Sequence, residues 1–98
     1  MRRHVRIEYT LRPEVDVDAY KTAVAQFVRD IHTHAASSAY AVYQHEKDAR
    51  RFTHLGAFDP EIVPTMQKQA WFETFTAQLR QSAVNGPDVQ SVAPVAST

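Results

Sequence analysis

Between Asp16 and His34 the apolar residues Tyr20, Ala23, Val24, Phe27, Val28 and Ile31 fall at i, i+3, i+4, i+7, i+8 and i+11. That spacing stacks side chains into one stripe along an α-helix, so residues 17–33 read as an amphipathic helix whose apolar face must be covered. Asp16 suits the N-cap, and Asp18 sits favourably at the positive end of the helix dipole. Lys21, Gln26, Arg29 and Asp30 fall on or near the opposite side.

The cover has to come from strands. From His4 to Leu11 the residues Val5, Ile7, Tyr9 and Leu11 alternate with polar ones, until Arg12-Pro13 ends the run. Tyr40–His45 and Arg51–Phe58 are rich in aromatic and β-branched residues and read as a hairpin, joined by a polar loop over Glu46–Arg50. Asp59-Pro60-Glu61 is a helix start. Pro64 lacks an N–H and crowds the preceding turn, which predicts a short helical turn to about residue 63 and a second helix over Thr65–Ala83. Trp71, Phe72, Phe75 and Leu79 form its apolar face, and Asn85-Gly86-Pro87 closes it with a glycine past its end. Val89–Val95 is the last strand, with Pro94 marking an edge or an end, and residues 96–98 read as flexible.

The order β-α-β-β-α-β is that of an α+β, ferredoxin-like domain over residues 1–98, a four-stranded antiparallel sheet with both helices on one face. The strands carry bulk on both parities: Tyr43 as well as Val42, Leu55 as well as Phe52 and Phe58. A sheet apolar on both sides needs a second cover, and a second copy of the same sheet is the simplest, so a homodimer is expected. No cysteine is present to staple so small a domain, which adds to the case for a partner subunit.

Eleven basic and eleven acidic residues cancel, which argues against a nucleic-acid partner. Arg2, Arg3 and Arg6 cluster locally, but Glu8 follows, and the group reads as a solvated strand end. No apolar run approaches the roughly 18–20 residues of a membrane span, and no apolar signal region follows the basic start. The expected compartment is the cytoplasm, with no membrane partner. His32 and His34 stand at i and i+2 of a helix, do not face each other, and read as a helix end rather than a metal pair. With two glycines in the chain there is no nucleophile elbow, P-loop or dinucleotide fingerprint.

The opening strand "HVRIEYTLRP", the hairpin "YAVYQHEKDARRFTHLGAF", the segment "AWFETFTAQL" and the closing "GPDVQSVAPVA" together resemble the dimeric α+β barrel superfamily, and within it the antibiotic-biosynthesis monooxygenase-like domains. The resemblance covers nearly all of the chain. It implies a ligand site between sheet and helices. Activities in the group range from cofactor-free oxygenation of quinols and polyketide aromatics to haem degradation and isomerisation. This chain departs from the group's pattern: a frequent glutamate on the third strand reads Gly56, a helical His-Phe pair reads Trp71-Phe72, and an upstream histidine falls near Met66. The asparagine and proximal histidine of the haem-degrading members fall at Tyr9 and near Thr76, which disfavours haem. No cofactor and no metal are expected.

Within that frame His54 and Tyr9 are the catalytic candidates. An imidazole beside the space left by Gly56 can deprotonate a phenol, and the phenolate can give an electron to O2. Tyr9 shares a face with Val5 and Ile7 and can orient a substrate oxygen. Trp71 and Phe75, four apart on one helix face, can wall a flat ring, with Phe52 and Tyr43 as further candidates for substrate contact. Each of these also reads as ordinary core or interface, and Tyr43 and His45 line either the pocket or the dimer seam according to strand register. Two functions follow. One is a cofactor-independent monooxygenase-like enzyme acting on a small aromatic or quinol-type molecule. The other is a non-catalytic dimer of the same fold, binding a small ligand or a protein partner, or serving a stress-related role.

Overall fold

The computed structural model of the protein describes residues 2–98. Its elements run β1 (Arg3–Thr10), α1 (Val17–His34), β2 (Ala39–His45), β3 (Asp48–Phe58), α2 (Val63–Gln67), α3 (Ala70–Ser82) and β4 (Asp88–Val92). The strands form one sheet in the order β2-β3-β1-β4, with every neighbouring pair antiparallel. The helices pack on one face of it, so the ferredoxin-like α+β layout read from the sequence is the observed one.

Register decides which side chains meet the helices. Val5 pairs with Gly56, Ile7 with His54 and Tyr9 with Phe52, while Tyr40 and Val42 on β2 stand opposite Gly56 and His54. These residues share the helix-facing side. On α1 the buried residues are Tyr20, Val24, Phe27 and Ile31, and the Asp16 side chain accepts from the Ala19 N–H at 3.1 Å. Phe75 and Leu79 of α3 complete the seam with Phe27, whose ring stacks on Phe75 at 4.2 Å between centroids.

Four boundaries differ from the sequence reading. The five-residue loop between β2 and β3 is a turn at Glu46-Lys47, because Asp48, Ala49 and Arg50 already belong to β3, with a register irregularity at Gln44/His45. Arg50 is pinned there by donating to the carbonyls of Arg12 and Val15 at 2.7 and 2.9 Å. Pro64 lies in the first turn of α2, where no intrahelical N–H is needed, so the break falls later, at Gln69, whose backbone is extended. Gly86 does not cap α3: that helix ends at Ser82, Ala83 is extended and bridges Leu11, and the left-handed pair Asn85-Gly86 turns the chain into β4. Finally, β4 stops at Val92, before Pro94.

The other face of the sheet has no cover in the single chain. Tyr43, Leu55 and Val92 are exposed there at 56%, 44% and 43%. It is not apolar throughout. Glu8 accepts from Arg51 at 2.6 Å, Arg6 at 3.0 Å and Thr53 at 3.3 Å, and chiefly the Arg51 hydrogen bond holds the Glu8 carboxyl below its usual range. No helix among the described residues is long and apolar enough to cross a membrane.

Candidate functional site

A cavity of about 220 Å³ lies between the helix-facing side of the sheet and helices α2 and α3. Val5 and Ile7 of β1 and Tyr40 of β2 form its floor, with Phe58 of β3 and Val89 of β4. Phe27 of α1, Met66 of α2, and Phe72, Phe75 and Leu79 of α3 form its walls and roof. The break at Gln69 makes this space: α2 and α3 meet at an angle over the sheet instead of running as one rod. An apolar cavity of roughly 150 Å³ is enough for benzene, so this one has room for a single substituted ring. Its lining residues that carry polar groups are Tyr40 and Thr76, with the exposed Arg3 and Gln67 at the rim. The Thr76 hydroxyl already donates to the Phe72 carbonyl at 2.9 Å.

Behind Tyr40 runs a buried chain of hydrogen bonds. Tyr40 Oη lies 2.7 Å from His54 Nδ1, His54 Nε2 lies 2.6 Å from Tyr9 Oη, and Tyr9 Oη lies 2.7 Å from Tyr20 Oη. His54 has no exposed surface at all. Desolvation pushes its pKa down to about 4, so the ring is neutral near pH 7, with one N–H and one acceptor nitrogen. Desolvation likewise raises all three phenols: Tyr20 to about 12, and Tyr9 and Tyr40 further. A neutral imidazole gives the chain two polarities. With the proton on Nδ1, His54 donates to Tyr40, and the Tyr40 O–H is free to donate elsewhere. With the proton on Nε2, Tyr40 donates to His54, and its oxygen keeps acceptor capacity for a further donor.

Gly56 is what lets Tyr40 take this position. A Cβ there would stand 2.8 Å from Phe58 Cε2 and 2.9 Å from Tyr40 ring carbons. The volume vacated by the missing side chain is filled by Tyr40 and Phe58, not by a ligand.

The residues singled out from sequence are distributed unevenly. His54 and Tyr9 come together, as a hydrogen-bonded pair, but neither lines the cavity; Tyr40 stands between His54 and that space. Phe75 does line it. Phe52 is buried outside it, stacked on Tyr9 at 6.0 Å between centroids. Trp71 packs on Phe27 and stacks on His34 at the end of α1 at 5.5 Å, leaving the wall to its neighbour Phe72. Tyr43 points to the open face, away from the cavity, since its neighbours Val42 and Gln44 take the helix-facing side. Tyr40, Phe27, Phe58, Met66 and Arg3 were not identified from sequence. For Tyr40 a signal existed: it shares the parity of Val42. Among the described residues no group of three or more His, Asp or Glu side chains is placed to hold a metal ion.

The fold is shared with several solved structures. An antibiotic biosynthesis monooxygenase superposes with a TM-score of 0.80 at 15% identity, over 98% of this chain and 100% of its own. A candidate antibiotic biosynthesis monooxygenase from Bacteroides thetaiotaomicron gives 0.84 at 8% identity, over 97% and 90%. SnoaB of Streptomyces nogalater, a cofactor-independent oxygenase, gives 0.78 at 7% identity, over 98% and 95%. The chain therefore shares the fold of these antibiotic biosynthesis monooxygenase structures. No family model matches the sequence. Nor does any curated protein match it.

Proposed function

We propose that the protein is a cofactor-independent, monooxygenase-like enzyme that takes a small aromatic or quinol-type molecule into the cavity beneath α2 and α3. The observation that carries this reading is Tyr40: it lines a ring-sized, largely apolar cavity, and its hydroxyl is hydrogen-bonded to a buried neutral histidine. The solved structures of like fold that are named as oxygenases support it.

The chemistry needs no group the chain lacks. A phenol with a free ring position and O2 give a quinone and water: one oxygen atom becomes the new carbonyl oxygen, the other leaves as water, and all four electrons come from the ring. The protein's part is to bind the ring, exclude water and help the phenol lose its proton. Tyr40 accepts a hydrogen bond from the substrate hydroxyl while donating its own to His54 Nδ1. As negative charge grows on the substrate, it raises the proton affinity of His54 through Tyr40. Tyr40 and Phe75 touch the substrate, while His54 and Tyr9 are positioning residues that act through Tyr40. The functional unit is a homodimer in the cytoplasm, joined through the open sheet face, where Tyr43, Leu55 and Val92 lie exposed.

Oxygen uptake with a panel of hydroquinones tests the reading. Substrate-dependent uptake of one O2 per hydroxyquinone formed, with water rather than peroxide as the other product, is expected, reduced about tenfold or more in Tyr40→Phe and His54→Ala. No uptake with any member would overturn the catalytic reading. A second reading, a non-catalytic binder of a small aromatic ligand, is favoured by one feature: His54 is shut off from the cavity, and burial weakens it as a base. Ring binding without turnover would select it.

A further inference from the structure

The cavity rim carries a positive charge. Arg3 is exposed at the start of β1, on the same sheet face as Val5 and Ile7, and lines the cavity. The ion pairs among the described residues are those of Glu8 with Arg6 and Arg51, on the opposite sheet face. Among the described residues no carboxylate forms an ion pair with Arg3, not even Asp59 or Glu61 on the segment that follows its β3 partner Phe58. Gln67 at the end of α2 also lines the cavity, and its amide makes no hydrogen bond among the described residues. No acidic side chain lines the space. An apolar cavity thus has a guanidinium and an amide at its mouth, both with donors unspent.

We propose that the cavity selects a single-ring aromatic carboxylate, with the ring among Ile7, Phe72 and Phe75, the carboxylate on Arg3 and Gln67, and a ring hydroxyl on Tyr40. This rests on the reading of the cavity as an aromatic site and adds the class of substrate. The sheet sets the span. Tyr40 stands opposite Gly56 and Arg3 opposite Phe58, so they lie on one face, two strands apart and two residues offset along the strands. Standard strand spacings place their Cα atoms about 12 Å apart, and both residues line the cavity. Substituents at opposite ends of one ring fit that arrangement. Arg3 offers the paired donors that a carboxylate takes up, and its exposure leaves the anion little desolvation to overcome.

Calorimetric titration of the protein with 4-hydroxybenzoate, its methyl ester and hydroquinone at neutral pH tests this. The acid should bind about fivefold more tightly than the ester, an advantage that shrinks with added salt because the pair is exposed. Arg3→Gln should bring acid and ester to parity without weakening the ester, Arg3→Lys should keep part of the preference, and Tyr40→Phe should weaken both ligands alike. Equal binding of acid and ester by the wild type, or a preference that survives Arg3→Gln, overturns the carboxylate assignment, while ester or hydroquinone binding leaves the aromatic site standing. Failure of all three to bind overturns both.

Discussion

His54 is the residue on which stability and function meet. Its pKa falls from 6.5 in the open chain to about 4 in the folded one, through desolvation. The unfolded chain therefore binds more protons between those values. Folding stability is fully present above about pH 6.5 and is lost as pH falls toward 4, by on the order of 3 kcal/mol for this depth of shift. Urea melts across that range should show the loss in the wild type and a clearly shallower slope in His54→Gln. Tyr40→Phe strands a buried nitrogen of His54, which costs about 1–3 kcal/mol in the same melts, besides its effect on ligand binding. Gly56→Ala pushes a methyl into Tyr40 and Phe58, both held in the packed layer. It should lower stability by about 1–3 kcal/mol and weaken ring binding as Tyr40 is displaced. These roles were only half legible in the sequence. His54 and Tyr9 stand out as polar groups on apolar strand faces, but Tyr40 looks like one more strand aromatic until register sets it opposite Gly56. Gly56 likewise marks a vacancy in the strand without showing what fills it.

At the scale of elements, periodicity carried most of the information. Val5, Ile7 and Tyr9 do face the helices, and Tyr20, Val24, Phe27 and Ile31 form the buried stripe of α1. These signals are local, so they survive in the bare sequence. Asp16→Ala should cost about 1 kcal/mol of stability in a thermal or urea melt, because only that side chain caps the Ala19 N–H. The break between α2 and α3 was misplaced because proline is hostile inside a helix but welcome in its first turn, and which applies depends on where the helix begins. That misplacement matters to function, since the angle at Gln69 forms the cavity roof. Arg50, bound to the Arg12 and Val15 carbonyls, likewise extends β3 through contacts distant in sequence.

For the whole molecule, the sequence argument that one sheet face lacks a cover is met by an open face with Tyr43, Leu55 and Val92 exposed. That face is apolar mainly toward β2 and β3, and the Glu8 cluster interrupts it. Sedimentation should find twice the 11.1 kDa chain mass at micromolar concentration, and Leu55→Lys should shift the protein to single chains with an unchanged circular dichroism spectrum. The central claim concerns the opposite face: a ring-sized ligand enters under α2 and α3 and is met there by Tyr40. A crystal structure of the protein with bound hydroquinone tests it most directly. The ring is expected between Ile7 and Phe75 with one hydroxyl within hydrogen-bond distance of Tyr40 Oη; a ligand found only on the open sheet face, or a cavity closed and empty at saturating hydroquinone, would contradict this placement.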